Sequence, residues 1–227
     1  MSDLLIIIPA YNEEENIGRV VERLKTEFPE YDYVVVNDGS KDKTGEICQT
    51  RHYNYLNLPV NLGLTGAFQA GMKYAYVRGY PYALQFDGDG QHRPEYIAAM
   101  KARFPEGYDI VIGSRFLRVK KNGSLRMWGS MLLEYAIRLT TGAVIRDPTS
   151  GMRMFNRNMI EAFVKNQNYG PEPDTISWLI KQGARVVEEP VVMDERAGGV
   201  SYLTPLNAVR YMVQMLISIL FIRNFRG

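Results

Sequence analysis

Asp87-Gly88-Asp89 stands where the apolar run Tyr82-Ala83-Leu84 gives way to a polar loop that ends in Gln91-His92. Two carboxylates one residue apart at a strand end can face a single divalent cation, and the glycine between them lets a ligand approach the backbone. Taken alone the pair reads as turn chemistry, because Asp and Gly both supply turn geometry. Its standing as a metal site depends on what the rest of the chain brings to it. Further polar stretches are Asn37-Asp38-Gly39-Ser40 and Arg146-Asp147-Pro148-Thr149-Ser150-Gly151-Met152-Arg153. A basic loop carries Arg115, Arg118, Lys120, Lys121 and Arg126, and Arg196 to Ser201 is a glycine-rich cationic loop suited to closing over an anion. Glu172 and Asp174 precede a helical pattern, where either is a general base for an acceptor hydroxyl and Asp174 is equally a helix cap. His92 abuts the acidic pair and reads as its neighbour.

These residues need a frame. The 227 residues suit one large domain with a sizeable core. A net charge of +2 argues against a nucleic-acid partner, and the single Cys48 excludes an internal disulfide framework. The N-terminus lacks the basic region and apolar length of a signal peptide. No run of about twenty apolar residues predicts a spanning helix.

Leu4 to Ile8 is a short apolar run that predicts a strand buried on both faces. Asn12 is expected to cap a helix with Glu13, Glu14 and Glu15 in its first turn and Ile17, Val20, Val21 and Leu24 on its apolar face. The unit recurs with a strand at Tyr33–Val36 and a helix from about Asp42. It recurs again with a strand at Tyr53–Leu58 and a helix at Gly63–Val77 rich in small residues. Tyr82–Phe86 and Asp109–Gly113 add strands, and Ala184–Met193 reads as an edge strand interrupted by Pro190. Alternation of this kind predicts an α/β fold with a mainly parallel sheet and helices on both faces. Ligands of such sheets sit beyond the carboxyl ends of the strands. The loops Pro9–Glu13, Asn37–Ser40 and Asp87–Gln91 all leave strands at that edge.

Two apolar segments remain. Met127 to Leu139, carrying Trp128, follows the basic loop and reads either as a core helix or as one lying on a membrane surface. Tyr211 to Ile222 is about half the length needed to span a bilayer. It is expected as an in-plane amphipathic anchor or as a contact between subunits of a homo-oligomer. The expected division is therefore 1–203 and a C-terminal helix over 204–227.

The ordered motifs carry a resemblance. Pro9-Ala10-Tyr11-Asn12-Glu13, Asn37 to Thr44, Asp87 to Glu95, Gly113-Ser114-Arg115 and Asp147 to Arg153 occur in the order seen in glycosyltransferase family 2. The pattern most resembles the branch similar to dolichol-phosphate mannosyltransferases, which transfers sugars to polyprenol phosphates. It covers the chain to about Tyr202.

The resemblance implies the GT-A fold and inverting transfer from a nucleotide-diphosphate sugar, UDP- or GDP-linked, with Mg2+ or Mn2+. It implies that Pro9, Tyr11, Glu13, Val36, Asp38 and Gly88 line the nucleotide site, and that Asp87, Asp89 and Gln91 surround the metal. Arg115 matches an arginine at the reaction centre, Ser114 and Arg153 fall in the acceptor-phosphate motifs, and Arg196 and Ser201 match a loop that closes over the donor. The implied acceptor is a polyprenyl phosphate, met from the cytoplasmic side by a protein peripheral to the inner membrane face. The chain departs from the pattern at Asn37, where an Asp is common, and at Tyr202, where a Lys is common; it also has no counterpart to the long C-terminal membrane helices of many members. Two other functions fit the same residues. One is a glycan-extending transferase with Asp174 or Glu172 as base, and the other is a nucleotide-sugar-binding partner without catalysis.

Overall fold

The computed structural model describes residues 2–119, 121, 125–195, 198 and 205–222, and for 125, 126 and 205–207 the backbone alone. In chain order the elements are β1 (Leu4–Ala10), α1 (Ile17–Glu27), β2 (Asp32–Asn37), α2 (Thr44–Thr50), β3 (Tyr55–Asn57), α3 (Gly63–Val77) and β4 (Tyr82–Gln85). They continue with α4 (Ile97–Lys101), β5 (Ile110–Ser114), α5 (Leu125–Thr141), β6 (Arg153–Asn156), α6 (Arg157–Lys165), α7 (Pro173–Lys181), β7 (Val186–Pro190) and α8 (Pro205–Ile217). A short π-helical stretch, Ser218–Ile222, extends α8.

Among the described residues one seven-stranded sheet forms, in the order β3-β2-β1-β4-β6-β5-β7. β6 alone runs antiparallel to its neighbours, with Gln85 opposite Arg153 and Ile112 opposite Arg153. β7 is an edge strand, pairing with β5 and ending at Pro190 opposite Ser114. The period-two alternation of strand side chains divides the core into two layers. Leu5, Ile7, Val34, Val36 and Ala83 face one layer with Phe68 of α3, Leu133 of α5, Phe163 of α6 and Ile219. Leu4, Ile6, Ile8, Val35 and Leu84 face the other with Ile17 of α1, Cys48 of α2 and Ile97 of α4. Every β1 residue from Leu4 to Ile8 is fully buried, which is why that run is continuously apolar. The small residues of α3 serve close approach: a Cβ on Gly71 would come 2.3 Å from Ile7 Cγ2.

One local expectation is corrected. Asn12 does not cap α1: it sits at φ 56°, and the helix begins only at Ile17. Its backbone N–H donates to Ser40 Oγ at 3.0 Å, and its Oδ1 accepts from Lys41 N at 2.9 Å. Asparagine tolerates the left-handed region unusually well. Asn12 therefore fastens the loop after β1 to the loop after β2.

Candidate active site at the carboxyl edge of the sheet

The parallel strands β1, β2, β4, β5 and β7 all end on one edge, and the antiparallel β6 begins there. That edge brings together Pro9, Asp38, Asp87, Ser114, Arg115 and Arg153 from widely separated parts of the chain. Pro9 lies opposite Val36 in the ladder, and Asp38 N donates to the Ala10 carbonyl at 2.9 Å. Asp38 is nearly buried, and its Oδ1 accepts from Leu62 N at 2.7 Å. Gly39 follows at φ 63°, where a Cβ would come 2.6 Å from Asn61 N, so this turn requires glycine. Glu13 N donates to Thr44 Oγ1 at 2.8 Å, and its Oε2 accepts from Asn16 Nδ2 at 2.9 Å. The departure at Asn37 has a local reason: its Nδ2 donates to Asn57 Oδ1 at 2.7 Å, which a carboxylate could not do.

Beyond β4, Asp87 N donates to Nδ1 of the buried His92 at 2.9 Å, while His92 Nε2 lies 3.4 Å from Asp87 Oδ2. Both ring nitrogens therefore face Asp87, and the imidazole orients that residue. Gln85 Nε2 adds a 3.4 Å contact to Asp87 Oδ1, and Asp89 Oδ1 accepts from Gln91 N at 3.0 Å. Gly88 lies under the end of β1, with its Cβ position 3.2 Å from the Pro9 carbonyl oxygen. Sequence reasoning passed over Gly151, although it lies within a quoted motif. A Cβ there would come 2.4 Å from Asp87 Oδ2, so any larger residue would displace that carboxylate.

Among the described residues no three His, Cys, Asp or Glu side chains gather into a complete metal cage. Asp87 and Asp89 with the Gln91 amide nonetheless fit Mg2+ or Mn2+. Such hard ions are commonly held by one or two carboxylates, with substrate phosphates supplying further oxygens. The Asp87 side chain is 37% exposed and so open to a ligand.

Arg115 follows β5. Its Nε and Nη2 grip Asp147 Oδ2 and Oδ1 at 2.7 Å each, Nη2 reaches Thr149 Oγ1 at 3.2 Å, and its backbone N–H donates to Asp147 Oδ2 at 3.1 Å. Burial works against the guanidinium charge, but the Asp147 carboxylate and then Asp87 outweigh it and hold the Arg115 pKa above its ordinary value. Asp147 is wholly buried, and Glu188 of β7 receives the backbone N–H groups of Arg146 and Asp147 at 2.8 and 2.7 Å. Burial pushes the Glu188 carboxyl up. Ser114, at the end of β5, is also buried.

Arg153 is enclosed at the same edge. It is 1% exposed, its Nη2 donates to the Pro148 carbonyl at 2.6 Å and its Nη1 donates to the Pro171 carbonyl. Burial lowers its pKa, opposed by the charges of Tyr211, Glu172, Asp147 and Asp87. Arg153 ties two loops together through Nη1 and Nη2, while its buried Nε keeps no hydrogen-bond partner. The alternative bases are also engaged. Glu172 Oε1 accepts from Thr65 Oγ1 at 2.7 Å, and Asp174 accepts from Thr175 N at 2.8 Å and from Ser218 Oγ at 2.7 Å. Arg196, Ser201 and Tyr202 lie outside the described residues.

A strand-end acidic pair, a glycine turn after β2 and an arginine gripped by Asp147 thus share one edge of a mainly parallel sheet of the GT-A fold. Residues 5–163 match the model of "Glycosyl transferase family 2", and the chain belongs to that family; it is a glycosyltransferase.

Polyprenol monophosphomannose synthase of Mycolicibacterium smegmatis is 31% identical over 89% of this chain and 82% of its own length. Undecaprenyl-phosphate mannosyltransferase of Micrococcus luteus is 31% identical over 88% and 87%. UDP-N-acetylglucosamine–dolichyl-phosphate N-acetylglucosaminyltransferase of Methanococcus voltae is 35% identical over 71% and 73%. Within the family the chain thus falls with transferases named for polyprenol phosphates. In fold it matches glucosyl-3-phosphoglycerate synthase of Mycobacterium tuberculosis, solved with Mn2+, UDP and phosphoglyceric acid. That match has a TM-score of 0.71 and 19% identity, over 99% of this chain and 79% of the other.

Proposed function

We propose that this enzyme transfers a sugar from a UDP- or GDP-linked donor to a polyprenyl phosphate, with inversion, and that it uses Mg2+ or Mn2+. The observation that carries this reading is the convergence of Asp87, Asp89, Gln91 and Arg115 on one sheet edge, beside the nucleotide-side loops of β1 and β2. The names of the relatives above support the acceptor class.

In the reaction, the bond from the sugar C1 to the donor phosphate oxygen breaks while an acceptor phosphate oxygen bonds to C1 from the opposite face. The acceptor oxygen is already ionised near neutral pH, so no proton has to leave as the bond forms and no general base is required. Bound at Asp87, Asp89 and Gln91, the cation would stabilise the charge gathering on the departing diphosphate. Pro9, Tyr11, Glu13, Val36, Asp38 and Gly88 are assigned to the nucleotide, and Arg196 and Ser201 to the loop covering it. Arg115, aimed by Asp147, is assigned to the reacting phosphates, for which a planar guanidinium is well suited. Ser114 is assigned to the acceptor side, with Arg153 holding the loops around it.

Residues 1–203 form the catalytic unit in this reading, and the segment 204–227, which carries α8, meets a membrane. Among the described residues no helix is long and apolar enough to cross one. α5 nevertheless exposes Trp128, Leu132, Tyr135 and Leu139 on one stripe, and α8 exposes Val209, Val213 and Ile217. The two helices pack closely, with a Cβ on Gly129 falling 2.9 Å from Met212 Cγ. Paired apolar stripes of this kind suit in-plane contact with the inner membrane face, where a polyprenyl phosphate resides.

The reading is tested by incubating the enzyme with radiolabelled UDP- and GDP-sugars and membranes that supply acceptor. The expected result is a chloroform-soluble labelled product that needs divalent metal and falls by at least a hundredfold in Asp89→Ala. No labelled lipid from any common nucleotide sugar would refute it.

A further inference from the structure

Gln91 and Asp194 are 103 residues apart, yet their main chains meet. Asp194 N donates to the Gln91 carbonyl at 2.8 Å, and Gln91 Nε2 donates to the Asp194 carbonyl at 3.3 Å. The Asp194 side chain is held in turn by Arg93, whose Nε donates to Oδ1 at 2.7 Å and whose Nη2 donates to the same oxygen. The bond to Arg93 draws the Asp194 carboxyl below its usual range, with smaller help from the charges of Arg93, Arg23 and Arg19. Further along the same stretch, Asn16 Nδ2 donates to the Gly198 carbonyl at 3.1 Å. Asn16 thereby joins that stretch to Glu13 of the nucleotide side.

A carboxamide has a donor end and an acceptor end, and only the oxygen can ligate a cation. Turning Gln91 Nε2 toward the Asp194 carbonyl leaves Oε1 as the end directed elsewhere. We propose that Arg93 and Asp194 are a positioning pair for the metal site: they fix the main chain at Asp194, which orients the Gln91 amide with its oxygen toward the cation. The inference rests on the assignment of Gln91 to the metal. Partners behind a metal ligand commonly set affinity by orienting the ligand atom. Both members of the pair are more than a third exposed, and exposed ion pairs add little to folding stability. The signature of this pair is therefore a change in metal affinity without a matching change in stability.

The test titrates Mn2+ into the full chain with saturating UDP, and in parallel with GDP, following free Mn2+ by electron paramagnetic resonance. Arg93→Met and Asp194→Ala should each weaken Mn2+ binding about tenfold. The double variant should be no weaker than either single, because the two residues act as one unit. Unfolding midpoints and metal-free nucleotide binding should match wild type. Unchanged Mn2+ affinity in both single variants would overturn the proposal, as would losses that add in the double variant or a parallel fall in unfolding midpoint. Failure of the wild-type chain to bind Mn2+ with either nucleotide is a separate result, and it would refute the metal assignment itself.

Discussion

Glu172 and Arg153 show how burial decides what a polar residue can do. Arg153 belongs to a motif whose resemblance implied contact with a phosphate; its Nη1 and Nη2 hold two main-chain carbonyls, while its buried Nε keeps no partner. No pattern of residue types distinguishes an arginine that meets a ligand from one that braces loops, because both are polar residues at a strand end. Gly151 was hidden for a related reason: its need is set by Asp87, which is remote in sequence and adjacent in space. Burial holds the Glu172 pKa above its ordinary value, with the Asp174 charge adding to the effect and Thr65 and Arg153 opposing it. An acid raised in the folded state stabilises fully below its unfolded pKa, and that contribution is lost as pH rises through the folded value. Glutamine cannot ionise, so the unfolding midpoint of Glu172→Gln relative to wild type should climb as pH rises above the ordinary carboxylate range. A constant or shrinking difference would contradict the burial argument.

The elements were more legible than the residues. Gly63–Val77 appears as read, and every strand except β6 lies where a short apolar run predicted it, within a few residues at the ends. The start of α1 was misplaced, because asparagine is favoured both as a helix cap and in left-handed turns; only the partners at Ser40 and Lys41 separate the two. For α5 the core reading covers only one face: Leu133, Ala136 and Ile137 are buried, whereas Trp128, Leu132, Tyr135 and Leu139 stay more than half exposed. An apolar helix with two apolar faces cannot be divided by composition, since both faces read alike. If the exposed stripe meets lipid, the Trp128→Ser/Tyr135→Ser variant should bind anionic vesicles at least tenfold less in sedimentation assays, with unchanged metal-dependent nucleotide binding. Equal vesicle binding would remove the membrane role of this face.

At the scale of the whole molecule, the alternation of strands and helices made the sheet and its functional edge readable. Neither β6 nor its inversion was readable, because Arg153–Asn156 is short and closes a polar loop, and a strand's own pattern is indifferent to the direction of its neighbour. Yet that inversion places Arg153 and the loop before it at the same edge as Asp87. The pairing of Arg93 with Asp194 is also a product of topology, since β7 delivers its chain to the edge that β4 leaves.

The central claim is that the acceptor enters already charged, so that the enclosed carboxylates at Glu172 and Asp174 need not act as bases. It is tested most directly with purified enzyme, UDP- and GDP-sugars and Mn2+, supplied side by side with a polyprenyl phosphate and with the corresponding polyprenol. The predicted result is glycosylated lipid from the phosphate alone, retained within a few-fold in Glu172→Gln. Transfer to the alcohol or to a glycan hydroxyl, abolished in Glu172→Gln, would contradict it.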